Sequence, residues 1–426
     1  MKRRTFIKNS SLSISALPLL SVTQIRKPYN IVLIGSGWWG MNILREAVAY
    51  GNCRVVGLCD VDQNHLNAAG EQVSQWNRDK PKIFKDYREC IQSCKPDITI
   101  IGTPDHWHAL PAIAAINIGS HVYLEKPIGH TIGEGQAILK AARTHNRMVQ
   151  VGTHRRVSPH NISAMEFLRA GKAGKISQVK AFVNYNQGPG KKSEITEPPA
   201  HLDWDLFVGP AEETDYHAGI HPKGFRNYLN FANGTIGDWG IHWFDQVLWW
   251  TEEKFPKSIF SSGGRYVKED SADAPDTQMA IFDFESFSMT WEHKLCAANA
   301  NTKHNVGCYF YGTEGTFHLG WRDGWTFYPS NKNHEVVHQK PTLHKPDDQN
   351  IKELWRDFID SIESNRLPVC DIKKGHEATN MSLLAMISYH LGRSISWDGE
   401  KENILEDSEA SAMMTRAYRG PWEYPT

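Results

Sequence analysis

Apolar residues cluster in short runs along the first third of this chain. The runs stand at 31–34 (IVLI), 54–59 (RVVGLC), 97–102 (DITIIG), 121–124 (HVYL) and 148–152 (MVQVG). Their length and continuity predict strands buried on both faces. Residues 41–50, 109–118 and 133–145 fall between the runs and predict helices, the first with its apolar residues on one face. Strands alternating with helices from 30 to 152 imply a doubly wound parallel sheet with right-handed crossovers. Ligands of such a sheet sit at the C-terminal ends of its strands.

The pattern changes after Gly152. Strand-like stretches at 177–185, 257–266, 277–284, 288–293 and 307–311 follow one another with few helices between them. They predict a large, mostly antiparallel sheet with one face packed and one open. Residues 188–199 are rich in Gly, Pro and Lys and read as a mobile loop, while 352–363 and 378–391 read as amphipathic helices packing back on the body. With 426 residues, two domains are expected. The division runs 1–28 leader, 29–152 nucleotide domain, 153–345 second domain and 346–426 C-terminal helices. No internal repeat or low-complexity tract is present.

The first apolar run opens directly into Gly35-Ser36-Gly37-Trp38-Trp39-Gly40. This is G-x-G-x-x-G between a strand and a helix. Gly35 permits the tight turn, Gly37 lets a pyrophosphate approach the main chain, and Gly40 lets helix and strand pack closely. The helix N-terminus offers free N–H groups and a positive dipole end. The second strand ends on Asp60, 20 residues beyond Gly40, where an acid holds both ribose hydroxyls and repels a 2′-phosphate. NAD is therefore expected over NADP. Asp62 competes for that role, and a solvated loop acid is its alternative reading.

Composition narrows the partners. The 47 basic and 48 acidic residues leave a net charge of −1, which argues against a nucleic-acid surface. The seven cysteines lack C-x-x-C spacing and are odd in number, so free buried thiols are expected. The 20 histidines show no H-E-x-x-H spacing, and no metal is expected. Fifteen tryptophans are the outlier. Most suit the core, and some suit flat platforms against the C–H faces of sugars. At the start, Lys2-Arg3-Arg4-Thr5-Phe6-Ile7-Lys8 precedes a mildly apolar, acid-free stretch at 10–22. This resembles a twin-arginine export signal, with no clear A-x-A site before Tyr29. No later run is long enough to span a bilayer.

Two constellations carry chemistry. Lys126 stands between Glu125 and Pro127 at a strand end on the expected nicotinamide side. Pro127 restricts its backbone and makes a fixed turn. Near the cofactor's positive ring, a lysine there has reason to carry a lowered pKa and shuttle a proton. An ordinary surface lysine is the alternative. Asp238, His242 and Asp245 fall at i, i+4 and i+7, on one face of a helix. His242 would exchange a proton with a substrate hydroxyl while Asp238 orients it; a helix cap beside a packed histidine is the alternative.

Together these residues resemble the glucose–fructose oxidoreductase / inositol dehydrogenase (Gfo/Idh/MocA) family. The likeness rests on the glycine loop 35–40, Asp60, Thr103-Pro104 with His108, Glu125-Lys126-Pro127, and Asp238-Trp-Gly-Ile-His242. It covers nearly everything from residue 29 onward. The resemblance implies an α/β protein: an N-terminal Rossmann doubly wound parallel sheet plus a C-terminal α/β domain with a large, mostly antiparallel open sheet that often forms oligomer contacts. It implies a catalytic set of Lys126, Asp238 and His242. The cofactor contacts would be Gly35, Ser36, Gly37, Trp38, Trp39, Gly40, Asp60, Thr103, Pro104, His108, Glu125 and Lys126. Lys126, Arg156, Asp238 and His242 would meet the substrate, Arg156 through the strand-end segment 152–156. The implied reaction passes a hydride between tightly held NAD and a sugar, glycoside or cyclitol carbon. A dimer or tetramer and a periplasmic address are expected. One branch instead consists of NAD-dependent glycosidases working by transient oxidation; the E-K-P and D-x-x-x-H set is more like the dehydrogenase branch. A non-catalytic sugar or cofactor binder is a third alternative, disfavoured by the intact acid–base set.

Overall fold

A computed structural model describes residues 27–296, 298–299 and 303–426. The export-signal segment lies outside the described residues. The first domain is a six-stranded parallel sheet in the order β3-β2-β1-β4-β5-β6. Its strands are β1 (Tyr29–Ile34), β2 (Cys53–Cys59), β3 (Lys82–Phe84), β4 (Ile98–Ile101), β5 (His121–Leu124) and β6 (Val149–Val151). Helices α1 (Trp38–Tyr50), α2 (Gln63–Asn77), α3 (Tyr87–Cys94), α4 (Ala109–Asn117) and α5 (Ile132–Thr144) connect them. The continuous apolar runs are the buried strands: Ile31, Val32, Leu33, Ile98, Ile100 and Ile101 are fully enclosed.

The stretch from 63 to 94 holds α2, β3 and α3, which the apolar pattern does not mark. In α2 only Leu66, Ala69 and Val73 are buried, a stripe too thin to stand out. Local capping starts both helices: Asp62 accepts from the Asn64 amide at 2.8 Å, and Asp86 from the Arg88 amide at 2.8 Å.

After α6 (Pro159–Arg169), and around the short α7 (Trp204–Val208), the chain builds a ten-stranded sheet. Strands β7 (Ile176–Asn184), β8 (Ser258–Gly264), β9 (Thr277–Asp283), β10 (Ser288–Lys294) and β11 (Val306–Gly312) correspond to the strand-like stretches. The sheet also takes in β12 (Gly315–Gly320), β13 (Trp325–Pro329), β14 (Val337–Gln339), β15 (Ile395–Asp398) and β16 (Asn403–Leu405). Only β7 and β10 pair in parallel; every other neighbour is antiparallel. The sheet is one-sided. On β9, Ala280 and Phe282 are buried against helices α8 (Ile241–Trp250) and α10 (Ile372–Leu391), while Met279 and Ile281 remain exposed.

The C-terminal segment is therefore not helices alone, because β15 and β16 extend the second sheet. Between them and the first domain lies α9 (Ile351–Ser364), whose Leu354, Trp355, Phe358 and Ile359 share one core with Ile43, Leu44 and Ala47 of α1. Helix α9 thus completes the nucleotide domain from the far end of the sequence. Removing the fully buried Trp355 ring leaves a cavity, so Trp355→Ala is expected to cost about 3–5 kcal/mol. Urea unfolding checks this, and a loss below about 1 kcal/mol would show that α9 is not part of that core.

Candidate active site

The glycine loop sits where the first sheet changes direction, between β1 and β4. Gly35 has φ +86°, and a Cβ there would lie 2.6 Å from the Gly102 carbonyl carbon. A Cβ on Gly40 would meet the Gly35 oxygen at 2.0 Å. These two glycines are steric necessities. Gly37 differs: a Cβ there would find no atom nearer than 3.9 Å, so its backbone faces open space. No side chain caps the N-terminus of α1, and no acid stands in its first turn. The first-turn amides are left for an anion, which fits the diphosphate of a dinucleotide.

Asp60 projects from the end of β2 into the cleft and accepts from the Ser36 amide at 2.7 Å and the Asp62 amide at 3.0 Å. Asp62 is the α2 cap and does not line the cleft. The placement favours Asp60 as the ribose acid. Ser36 lies buried beneath the loop, and Trp38 is 60% exposed with the Lys223 ammonium 4.9 Å over its ring.

At the other end of the cleft the two domains meet. Lys126, at the end of β5 and in a cis bond to Pro127, donates through Nζ to Asp238 Oδ1 at 2.6 Å and to the Asp238 carbonyl at 2.9 Å. Arg226 Nε stands 3.4 Å from the same carboxylate oxygen. Burial pushes the Asp238 carboxyl up, but the Lys126 and Arg226 cations override it and hold it at about 2. Glu125 is pushed up to about 7 by burial, against the pull of Lys126. Gly152 is obligatory beside it, since a Cβ would lie 2.3 Å from Glu125 Oε1.

His242 lines the cleft inside a box of Trp239, Trp321 and His154 rings, with centroids 5.9, 4.8 and 5.5 Å away. Its buried Nδ1 has no hydrogen-bond partner. Burial first, then the Lys126 and Arg155 charges, holds its pKa well below the usual imidazole value. At neutral pH this ring is uncharged and can accept a proton.

Three expected placements change. Asp238 does not bond to His242; residues 236–240 form a π turn, so the i, i+4 pair no longer stacks and Asp238 turns to Lys126. Asp245 is enclosed and held by Arg156, whose Nε lies 2.9 Å from both carboxylate oxygens. Arg156 is thereby committed to a buried ion pair and does not line the cleft. His108 also lies below it, wedged between two strand-end turns: Nδ1 is 2.5 Å from the Pro127 carbonyl and Nε2 is 2.9 Å from the Thr103 carbonyl, and the single N–H of the neutral ring donates to one of the two. Thr103, Pro104 and Trp39 do line the cleft.

Sequence spacing misses Arg226, His154, Trp321, His221, Lys223 and Trp422, all of which line the cleft from distant segments. Tryptophan abundance was the one signal: Trp38, Trp39, Trp107, Trp239, Trp321 and Trp422 all face this space of about 370 Å³.

A glycine-loop nucleotide cradle facing an acid–base cluster on a second domain defines a two-domain dinucleotide-binding protein. The chain belongs to the Gfo/Idh/MocA oxidoreductase family. Residues 29–153 match its NAD-binding Rossmann fold and residues 173–424 its C-terminal α/β domain. A glycosyl hydrolase family 109 protein of Stenotrophomonas maltophilia is 28% identical over 222 residues, 49% of this chain and 48% of that protein. Inositol 2-dehydrogenase of Salmonella typhimurium is 28% identical over 144 residues, 33% of this chain and 42% of that protein. The aligned stretches thus span less than half of these two relatives' own lengths. Levoglucosan dehydrogenase, solved with NADH and levoglucosan, shares the fold at TM-score 0.67 and 17% identity, with the match covering 87% of this chain and 99% of that one. Among the described residues, no helix is long and apolar enough to cross a membrane.

Two outcomes follow from the geometry. Asp60→Ala is expected to weaken NAD binding about tenfold or more and to erase discrimination against NADP, read by fluorescence titration. An acid whose folded pKa falls from 3.8 to about 2 adds stability above pH 4 that fades as pH drops through 2. Asp238→Asn should therefore cost about 2 kcal/mol at pH 6, with the gap closing toward pH 2 in urea unfolding.

Proposed function

We propose that this protein is an NAD-dependent dehydrogenase acting on a hydroxyl of a sugar, glycoside or cyclitol. The observation that carries the reading is the uncharged, unpartnered His242 beside the Lys126–Asp238 pair, at the end of the cleft away from Asp60. Bound NAD supplies the hydride acceptor. The chain's own residues do the rest. Lys126, fixed by Asp238, donates a hydrogen bond to the substrate oxygen and stabilises negative charge developing on it. His242 accepts the hydroxyl proton at a ring nitrogen, and its low basicity favours returning that proton in the reverse direction. Trp239 and Trp321 present flat apolar surfaces to the C–H faces of the ring and exclude water. The inositol and levoglucosan enzymes among the relatives support this substrate class.

Tight retention of the cofactor belongs to this reading. His221, Pro222 and Lys223 cover the Asp60 end, and Trp422 packs with Tyr87 and Trp107 at its rim. Export by the twin-arginine route, suggested by Arg3 and Arg4, and assembly as a dimer or tetramer through the open sheet complete the proposal. The exposed Phe260, Met279 and Ile281 on that sheet support the assembly.

The family 109 relative favours one second reading, an NAD-dependent glycosidase. Incubating the purified protein with a panel of glycosides separates the two. Net growth of the reduced-nicotinamide band with a keto-sugar product is expected. Aglycone release without net cofactor change would establish the glycosidase. Lys126→Met is expected to bind NAD normally and to lose about 10²–10⁴-fold in turnover; unaltered turnover would refute its catalytic role.

A further inference from the structure

Four residues that the reaction does not use converge beside the nucleotide cradle. Asp62 caps α2 through Oδ1, which accepts from the Asn64 amide, and its carboxylate is 96% enclosed. Around its other oxygen, Oδ2, stand three imidazole nitrogens: His221 Nε2 at 3.5 Å, His201 Nε2 at 3.8 Å and His65 Nε2 at 4.0 Å. These separations exceed a hydrogen bond. They approach the spacing of donors sharing one small cation, because metal–ligand distances of about 2.0–2.1 Å place tetrahedral ligands about 3.3 Å apart. The Asp62, His65 and His221 ligand atoms all lie within 4.8 Å of one another.

The surroundings are those of a built site. His65 turns its other nitrogen, Nδ1, toward Asp60 Oδ2 at 3.6 Å, beyond a hydrogen bond but on the side from which a carboxylate orients a metal-binding imidazole, and this leaves Nε2 free. The Gln63 amide donates to the His201 carbonyl at 2.8 Å, and the Asp203 amide to the Val61 carbonyl at 3.0 Å. The backbone thus fixes the His201 segment against the start of α2.

We propose that Asp62, His65 and His221 bind one divalent transition-metal ion of the zinc class, with His201, 3.8 Å from the same carboxylate oxygen, as the candidate fourth ligand, closing the second-domain segment over the adenosine end of the cleft. Three imidazoles and one carboxylate suit a borderline ion such as zinc over calcium or magnesium, which prefer oxygen ligands. Three protein ligands, with His201 near the fourth position, suit a tetrahedral shell. Two ligands belong to the nucleotide domain and two to the segment bearing Lys223, which lies over Trp38. An ion here ties together the walls between which the nucleotide must enter and leave. This inference does not depend on the reaction proposed above.

The test uses the full chain, stripped with EDTA and titrated with zinc chloride by calorimetry, beside a His201→Ala/His221→Ala double variant. The native chain is expected to take up one equivalent more than the variant and to gain several degrees in melting temperature that the variant lacks. Taking the difference removes zinc held elsewhere, including any at the His304, His318 and Asp323 cluster or at thiols. Equal uptake by the two chains would overturn the proposal. Should the variant fail to fold, zinc-edge absorption on the native chain at one equivalent decides. At least two imidazoles and a carboxylate support the site, and sulfur or fewer than two imidazoles in the shell refutes it.

Discussion

The Lys126–Asp238 ion pair is the constraint on which the rest of the active site depends. Lys126 comes from the end of β5 in the first domain and Asp238 from the turn before α8 in the second, 112 residues apart. Lys126 is mostly enclosed and Asp238 partly so, and a partly desolvated charge deprived of its partner is costlier than the pair itself is stabilising. Docking of the two domains is therefore coupled to formation of the site. Burial keeps His242 neutral in the first place, and the Lys126 charge of this pair, with Arg155, adds to it, so the interaction that fixes the geometry also reinforces the protonation state of the acid–base set.

A second layer holds this pair in register. His108 joins the carbonyls of Thr103 and Pro127 from below, while Arg156 and Asp245 lock the segment after β6 to α8. Neither brace lines the cleft. Both stiffen the elements that carry Lys126 and His242, and a positioned proton acceptor needs that stiffness more than it needs another polar contact. The aromatic walls serve the complementary purpose, lowering the local dielectric so that each charge acts more strongly.

Much of the first domain was legible along the chain. The run 31–34 has no polar position to place outside and 98–101 has only Thr99, so they read as strands covered on both faces. The glycine loop was equally readable, because Gly35 and Gly40 answer steric demands made within one strand–turn–helix unit. Legibility failed where burial is shallow, as in α2 with its three buried residues, or where pairing is remote, as in β15 and β16. The π turn at 236–240 shows another limit. Counting by 3.6 places Asp238 and His242 on one face, yet a single widened turn sends them to different partners. The basic character of Arg156 was plain, but its commitment to Asp245 was not, since that depends on which of several acids lies within reach after folding.

By itself the sequence determined the nucleotide-binding half, the alternation that builds it, and the residue types able to hold a dinucleotide and move a proton. These are local properties, carried by backbone freedom, hydrophobic periodicity and side-chain chemistry within a few turns of chain. Tertiary structure alone decided which charges pair, that His242 Nδ1 is left without a partner beside the cleft, which six tryptophans face that cleft, and that Asp62 gathers three histidines from two domains. Those outcomes depend on distances and desolvation between segments remote from one another in the chain, and no spacing along it encodes them.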